Sequence, residues 1–226
     1  QSSDNTVAAK GIKFDGNITF NGGCSVTVKS SKHEAIESKG EITFNGGHVY
    51  AYSASDDAIN SASTMTINDG YVCAHSAGND GLDANGNLYI KGGLVYAIGS
   101  SSPEMAIDAN TEGGYKLYVE GGTIIAIGGL ENGASLTQSC YQASSWSKST
   151  WYALTVGGNT YAFRTPASGG TKLIVSGAST PTLKSGVNTD GGTSYFEGTL
   201  LVGATVSGGN NVNLTSYTSG GGGGWH

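Results

Sequence analysis

The sequence contains little proline, little charge and few helix-favouring residues. Only 3 of its 226 residues are Pro, and charged residues make up 12%, about half the usual share of a soluble protein. Scarce Glu and Lys, together with frequent Thr, Val, Ile and Tyr, favour sheet over helix. Because 38 Gly accompany so little Pro, the composition indicates tight turns between short strands and not a disordered Pro/Gly-rich chain.

Cationic side chains are also scarce, and the net charge is −6. Binding to nucleic acid requires a basic face that neutralises phosphates, so we predict no nucleic-acid partner. No apolar run is long enough to span a membrane. The chain opens on polar residues without a signal-peptide pattern, and we expect that an export signal was removed before Gln1.

Five blocks of about 23 residues repeat between residues 10 and 130. They start at Lys10, Glu34, Asp57, Asp80 and Met105, and each contains three short segments with alternating apolar residues. A single block of this kind cannot bury its apolar face, whereas blocks stacked at about 4.8 Å form parallel sheets around a continuous core. The sequence therefore predicts an all-β protein built on a parallel β-helix with coils of about 23 residues.

The repeat register assigns equivalent apolar positions and settles the state of the cysteines. The first strand of each coil contributes one inward residue, namely Ile12, Ile36, Ile59, Leu82 and Ile107. Cys24 and Cys73 fall two coils apart, hence about 9–10 Å, beyond the roughly 7 Å Cα limit for a disulfide. No CxxC spacing supports a zinc or thioredoxin-type motif. We predict that Cys24, Cys73 and Cys140 are free thiols.

The repeat ends near residue 130, and the remaining chain reads as antiparallel strands. Residues 151–166 predict a hairpin with Gly157-Gly158-Asn159 as its loop. Such strands would cap the open edge of the β-helix. We predict a single domain over residues 1–226, with coils in 10–130, irregular coils and capping strands in 131–219, and a Gly-rich tail in 220–226.

Acidic residues recur at one position of the coil and predict a cation site. Stacking brings them to neighbouring coils along one edge, where carboxylates repel one another unless a cation neutralises them. Calcium accepts such loop-built sites with oxygen ligands; a hydrated acidic edge in which Asp and Asn cap turns is the alternative. The candidate ligands are Asp56, Asp57, Asp80, Asp83, Glu34 and Asn79.

Aromatic residues recur on the outward side of the third strand in the second, third and fourth coils. A flat sheet faced with Tyr and His could present a platform for the apolar C–H faces of sugar rings. Alternatively, these rings stack on one another beneath the C-terminal segment. The candidate carbohydrate-binding residues are Tyr50, Tyr52, Tyr71, His75, Tyr96, Trp146 and Trp151.

Catalytic motifs such as GxSxG and HExxH are absent. A β-elimination lyase would need a Lys or Arg base beside its calcium. Lys39, Lys91 and Lys116 are scattered over turns and strands, and Arg164 lies outside the repeats. We therefore predict that the protein is not an enzyme.

The coil pattern D-x-I/L-x-A/S-x-G-x-L/I-x-I-x-G-G-x-V-x-A, clearest in residues 57–97, resembles a bacterial family of secreted and surface carbohydrate-binding domains. Its members look like polysaccharide lyases of the pectin-lyase β-helix type. The resemblance implies a right-handed β-helix, calcium at Asp-rich turns, and binding of an acidic or plant cell-wall polysaccharide. Met105 and Lys10 stand where this pattern has an acid, so a metal site is not expected in the fifth or first block.

These expectations combine into a non-catalytic polysaccharide-binding or adhesin module, secreted or on the bacterial surface, with calcium as its stabilising ion. Two alternatives remain open at this point. One is a calcium-dependent lyase acting on acidic polysaccharide, and the other is a purely structural surface protein.

Overall fold

The computed structural model describes residues 10–220, which contain β-strands, one 3-10 turn at Phe196–Gly198 and no α-helix. The first strands of the five blocks form one parallel sheet, in the order β1, β4, β6, β8, β11. Their bounds are Ile12–Phe14, Ile36–Ser38, Ile59–Ser61, Leu82–Ala84 and Ile107–Ala109. The register places the predicted apolar positions opposite one another from coil to coil, which confirms the parallel β-helix.

The second and third segments of the blocks form a larger parallel sheet. It consists of β2 (Ile18–Phe20), β3 (Ser25–Ser30), β5 (Ile42–Ser53), β7 (Met65–Ser76), β9 (Leu88–Ile90), β10 (Leu94–Ile98), β12 (Leu117–Val119) and β13 (Thr123–Ile127). Val26 lies opposite Val49, as the extra residue Cys24 predicts.

The second and third segments of a block are joined in β5 and β7 into one continuous strand. The pairing of these strands shifts register between Phe44 and His48. Gly70 has a φ of +98°, and a Cβ on this residue would lie 2.8 Å from the carbonyl carbon of Gly46. Glycine is therefore required there both by the backbone conformation and by the close approach of the neighbouring coil.

The interior of the β-helix is a single apolar core made of like residues in successive coils. Ile36, Ile59, Leu82 and Ile107 are fully buried, and Phe20 stacks on Phe44 at 5.0 Å near the first coil. Full burial of one such side chain contributes about 1.5–3 kcal/mol. Stacking of identical coils is thus the main source of stability in this part of the chain.

After the fifth coil, strand pairing changes from parallel to antiparallel. β14 (Ser135–Leu136) still pairs in parallel with β12, whereas β18 (Leu173–Ser176) pairs antiparallel with both β13 and β15 (Cys140–Ala143), and β23 (Leu214–Tyr217) pairs antiparallel with β15. Antiparallel strands therefore extend the sheet beyond the last coil, as predicted.

A separate six-stranded antiparallel sheet forms from the rest of the chain. Its strands, in spatial order, are β20 (Thr193–Tyr195), β21 (Leu200–Val202), β17 (Asn159–Arg164), β16 (Trp151–Val156), β19 (Thr182–Asp190) and β22 (Thr205–Val212). The predicted hairpin is confirmed as β16–β17. The apolar face of this sheet packs on the outward side of the coils and creates a second core.

Three features of the sequence prediction have simple outcomes. All three cysteines are free, as the register predicts. Residues 10–220 hold no helix of the length and apolarity needed to cross a membrane. The predicted tail lies outside the described residues from position 221 onward.

Candidate functional site

Acidic side chains stack from coil to coil across the first sheet. The residue that follows the buried Ile or Leu forms one ladder, in which Glu37, Asn60, Asp83 and Asp108 lie opposite one another in successive coils. A bridge between Ile107 and Leu130 continues the coil geometry, so Glu131 extends this ladder. Two residues before the Ile or Leu, Glu34, Asp57 and Asp80 stack in the same way. We call Asp57, Asp80, Asp83, Asp108 and Glu131 the acidic column.

A lysine neutralises the N-terminal end of these ladders. Lys10 Nζ lies 2.6 Å from Glu34 Oε2 and 2.7 Å from Glu37 Oε2, and the Lys10 side chain is only 9% exposed. Burial acts to lower the pKa of Lys10, but its bonds to Glu34 and Glu37 outweigh burial and raise the pKa. Burial likewise acts to raise the pKa of Glu37, and the bonds from Lys10 and Lys39 lower it. Both groups are therefore charged at neutral pH.

The acidic column has no such lysine among residues 10–220. Burial and, after it, the neighbouring carboxylates raise the pKa of Asp57, Asp83 and Asp108, and raise that of Asp80 to about 7. Asn60 Nδ2 donates a hydrogen bond to Asp57 Oδ2 at 3.2 Å and another to Asp83 Oδ2. At neutral pH the aspartates of the column are therefore not all ionised.

The six predicted metal ligands fall into two groups. Asp57, Asp80 and Asp83 belong to the buried acidic column. The outer group contains Glu34 and Asp56 together with His33, and one ligand atom from each of these three residues lies within 4.8 Å of the others. Within the described part of the chain this is the one trio of His, Cys, Asp and Glu that meets that criterion. Asn79 joins it through a hydrogen bond of 3.5 Å from Nδ2 to Asp56 Oδ1.

His33, Asp108 and Glu131 are members of these groups that the six predicted ligands do not include. A signal for Glu131 was present, since Leu130-Glu131 repeats the apolar–acid step of Ile107-Asp108. The repeat register also marks His33, because it precedes Glu34 as Asp56 precedes Asp57. Stacking of these equivalent positions places His33 Nδ1 3.7 Å from Asp56 Oδ2.

The aromatic face is covered at its centre. Tyr96 is fully buried and Tyr50 is 8% exposed, both within the second core beneath the antiparallel sheet. Tyr96 Oη donates a hydrogen bond to the Arg164 carbonyl at 2.8 Å, and its ring packs edge-on against Phe163. Tyr96 consequently has no free ring face to offer a sugar, because the covering sheet occupies that space. The structure thus selects the alternative in which the C-terminal segment covers these central rings.

The margins of the aromatic face are open to different degrees. Tyr52, Tyr71 and His75 are half-buried, and the rings of Tyr52 and His75 meet edge-on at 5.0 Å. Burial lowers the pKa of His75 to about 4, so its imidazole is neutral at pH 7.

The two tryptophans among the candidate carbohydrate-binding residues, Trp146 and Trp151, differ in their surroundings. Trp146 Nε1 donates a hydrogen bond of 3.0 Å to the Gly170 carbonyl, and the ring packs against the second core. Its polar edge is thereby used inside the protein. Trp151 is half-buried and lies opposite Arg164 in the β16–β17 ladder.

A cavity of about 250 Å³ lies where the coils meet the antiparallel sheet. We call it the seam cleft. It brings together three of the predicted carbohydrate-binding residues, Tyr50, His75 and Tyr96, with Arg164 and Thr165 from the end of β17. Arg164 is the sole arginine of the sequence, and it makes no ion pair with any residue from 10 to 220.

The fold and the seam cleft define a β-solenoid protein whose aromatic face is enclosed by its own C-terminal sheet. A family model described as carbohydrate-binding domain-containing protein matches residues 1–165. The chain belongs to this family, and the match spans the coils and the β16–β17 hairpin but stops before β18. No curated protein and no solved structure matches the chain. Family membership supports a polysaccharide-binding role.

Proposed function

We propose that this protein is a non-catalytic polysaccharide-binding module, secreted or on the bacterial surface, which binds an acidic sugar residue in the seam cleft and is stabilised by calcium at the acidic column. An adhesin role would follow from attachment of such a surface module to a polysaccharide. The main observation in support of this binding site is that aromatic rings and the sole arginine of the chain line the same cleft.

The composition of the seam cleft suits a single sugar residue. Its volume of about 250 Å³ is below the roughly 300–1,000 Å³ of pockets for drug-sized ligands. The rings of Tyr50 and His75, which line the cleft, offer apolar surface to a pyranose. The Arg164 guanidinium is a planar fork of donors that matches a carboxylate. An acidic polysaccharide, such as a plant cell-wall uronan, is therefore the favoured ligand.

Calcium fits the acidic column better than it fits the outer group. Asp57, Asp80 and Asp83 supply carboxylate oxygens, which calcium prefers as ligands. The outer group includes the nitrogen ligand of His33, which suits softer metals. When bound, calcium would supply the positive charge that Lys10 supplies at the first coil, and it would hold ionised carboxylates of adjacent coils together.

The positions of the lysines support a non-catalytic role. A lyase needs a free base close to its calcium, yet the lysines that reach the stacked acids, Lys10, Lys13 and Lys39, all form ion pairs with Glu37. None of them is available to abstract a proton from a sugar while these pairs persist.

Binding can be tested by isothermal titration with polygalacturonate, in parallel with a neutral glucan. We expect Arg164→Gln to weaken binding of the acidic polymer at least tenfold, because a charge-assisted hydrogen bond contributes about 1.5–3 kcal/mol. Lys184→Gln, at an exposed position on the same antiparallel sheet, is the matched control and should bind as wild type does. Equal losses in both variants, or no binding by wild type, would contradict the proposed site.

Absence of turnover is measured on the same samples. Cleavage by β-elimination generates an unsaturated uronate that absorbs in the ultraviolet. A steady rise in absorbance with calcium present would establish the lyase alternative in place of a binding module.

A further inference from the structure

A second cavity lies on the other side of Tyr50, near the first coil. It measures about 230 Å³ and is lined by Ser25, Thr27, His48 and Tyr50 from the coils and by Ser194, Tyr195 and Phe196 from the antiparallel sheet. We call it the first-coil pocket. Tyr50 lines both this pocket and the seam cleft, so the two cavities are neighbours. Ser194, Tyr195 and Phe196 lie beyond residue 165, outside the part of the chain that the family model matches.

Aromatic rings converge at this pocket. Tyr195 contacts His48 at 4.7 Å and Tyr71 at 4.8 Å between ring centroids, and His48 contacts Tyr71 at 5.3 Å. All three side chains are half-buried, so each ring retains exposed surface. A partly exposed ring cluster of this kind offers an apolar wall with polar tips.

The polar groups around the rings have no partner inside the described protein. No hydrogen bond to another residue in 10–220 involves the side chains of Ser25, Thr27, Ser194, His48 or Tyr195. The pocket thus combines aromatic surface with free hydroxyl and imidazole groups and has no charged lining residue. That combination matches the ring face and hydroxyls of a pyranose and does not match an anion.

The backbone that carries Tyr195 is held in a strained conformation. Phe196 and Glu197 have φ values of 53° and 55°, in the left-handed region that non-glycine residues rarely adopt. The Phe196 ring is buried against Tyr50, and Glu197 Oε2 accepts a bond of 2.7 Å from Lys29 Nζ of the first coil. These contacts fix the turn, and with it Tyr195, above the pocket. Strain maintained by surrounding contacts is frequent at binding sites.

We propose that the first-coil pocket is a second carbohydrate subsite, which takes the uncharged ring and hydroxyls of a pyranose in the same glycan chain whose acidic residue occupies the seam cleft. This inference rests on the proposed polysaccharide-binding function. Two adjacent subsites joined by one ligand predict that affinity rises with chain length, because the second contact becomes intramolecular.

Isothermal titration with galacturonate and with partly methyl-esterified oligogalacturonides up to the hexamer, whose chains contain both charged and uncharged residues, tests the second subsite. For wild type we expect a rise in affinity once the oligomer fills both subsites. Tyr195→Ala should weaken binding of the hexamer at least fivefold and change binding of the monomer less than twofold. Tyr195→Phe retains the ring and should stay within threefold of wild type. Tyr115→Ala, at an exposed tyrosine outside both cavities, is the matched control.

The outcomes separate this inference from the function on which it rests. If wild type binds no oligomer, the proposed function fails and the subsite with it. If wild type binds but Tyr195→Ala weakens all lengths equally, or weakens none, the second subsite alone is refuted. Should Tyr195→Ala lose its cooperative unfolding transition, His48→Ala provides the same length comparison from the coil side of the pocket.

Discussion

In the absence of a bound cation, the stability of this protein should fall as the pH rises, and Asp80 contributes one part of that effect. Burial raises the pKa of Asp80 from 3.8 to about 7 in the folded protein. Between these values the folded state keeps a proton that the unfolded chain has released. The free energy of unfolding of metal-free protein therefore decreases as pH rises from about 4 to about 7. A difference of about three pH units corresponds to about 4 kcal/mol, a large part of the 5–15 kcal/mol that stabilises a typical domain.

Calcium should reverse this dependence. Ionised carboxylates bind the metal and protonated ones do not, so calcium stabilises the folded state most at pH 8. The assay is urea denaturation at pH 5 and pH 8, with chelator or with excess calcium, on wild type and Asp80→Asn. The variant removes this titrating group, so its metal-free stability should depend less on pH. The reasoning is refuted if chelated wild type is as stable at pH 8 as at pH 5, or if calcium changes neither value.

Three further predictions concern single contacts. Lys10→Met leaves Glu37 buried without its main partner and should destabilise the protein by about 3–5 kcal/mol in urea denaturation; adding Glu37→Gln should restore part of that loss, and no recovery would contradict the ion-pair explanation. Tyr96→Phe removes the 2.8 Å bond to the Arg164 carbonyl and should cost about 1 kcal/mol, measured in the same way, whereas an unchanged midpoint would show that the bond contributes nothing. Gly70→Ala places a Cβ 2.8 Å from the backbone of the preceding coil, at a residue with a φ of +98°. This variant should lower the melting temperature by several degrees, because a ΔΔG of 1 kcal/mol shifts it by about 2–4 °C in a protein of this size. A melting temperature equal to that of wild type would rule out the steric argument.

The β-helix was predictable because the same pattern of apolar and turn residues recurs in every coil. One alternating segment is ambiguous, but five in register specify which residues point inward and which coil lies above which. The same periodicity placed Cys24 and Cys73 too far apart to bond, and it placed Asp57, Asp80 and Asp83 on one edge. These conclusions require only that equivalent positions stack.

The cover over the aromatic face was not predictable in this way. Tyr96 and Tyr52 share the outward side of the coils and look alike in sequence, yet one is fully buried and the other is half-buried. Their difference depends on where the antiparallel sheet ends. That sheet is assembled from strands distant in sequence, and no repeat fixes its position on the coils.

Local periodicity therefore determined the coils, the core and the acidic column, since each depends on contacts between equivalent residues one repeat apart. Tertiary structure alone decided which parts of the aromatic face are covered and which line cavities. It brought Arg164 to Tyr50 and His75, it set Tyr195 against His48, and it thereby converted a flat aromatic face into two small cavities. The physical reason is that these contacts join segments with no common period, and only packing of the second core defines their relative position.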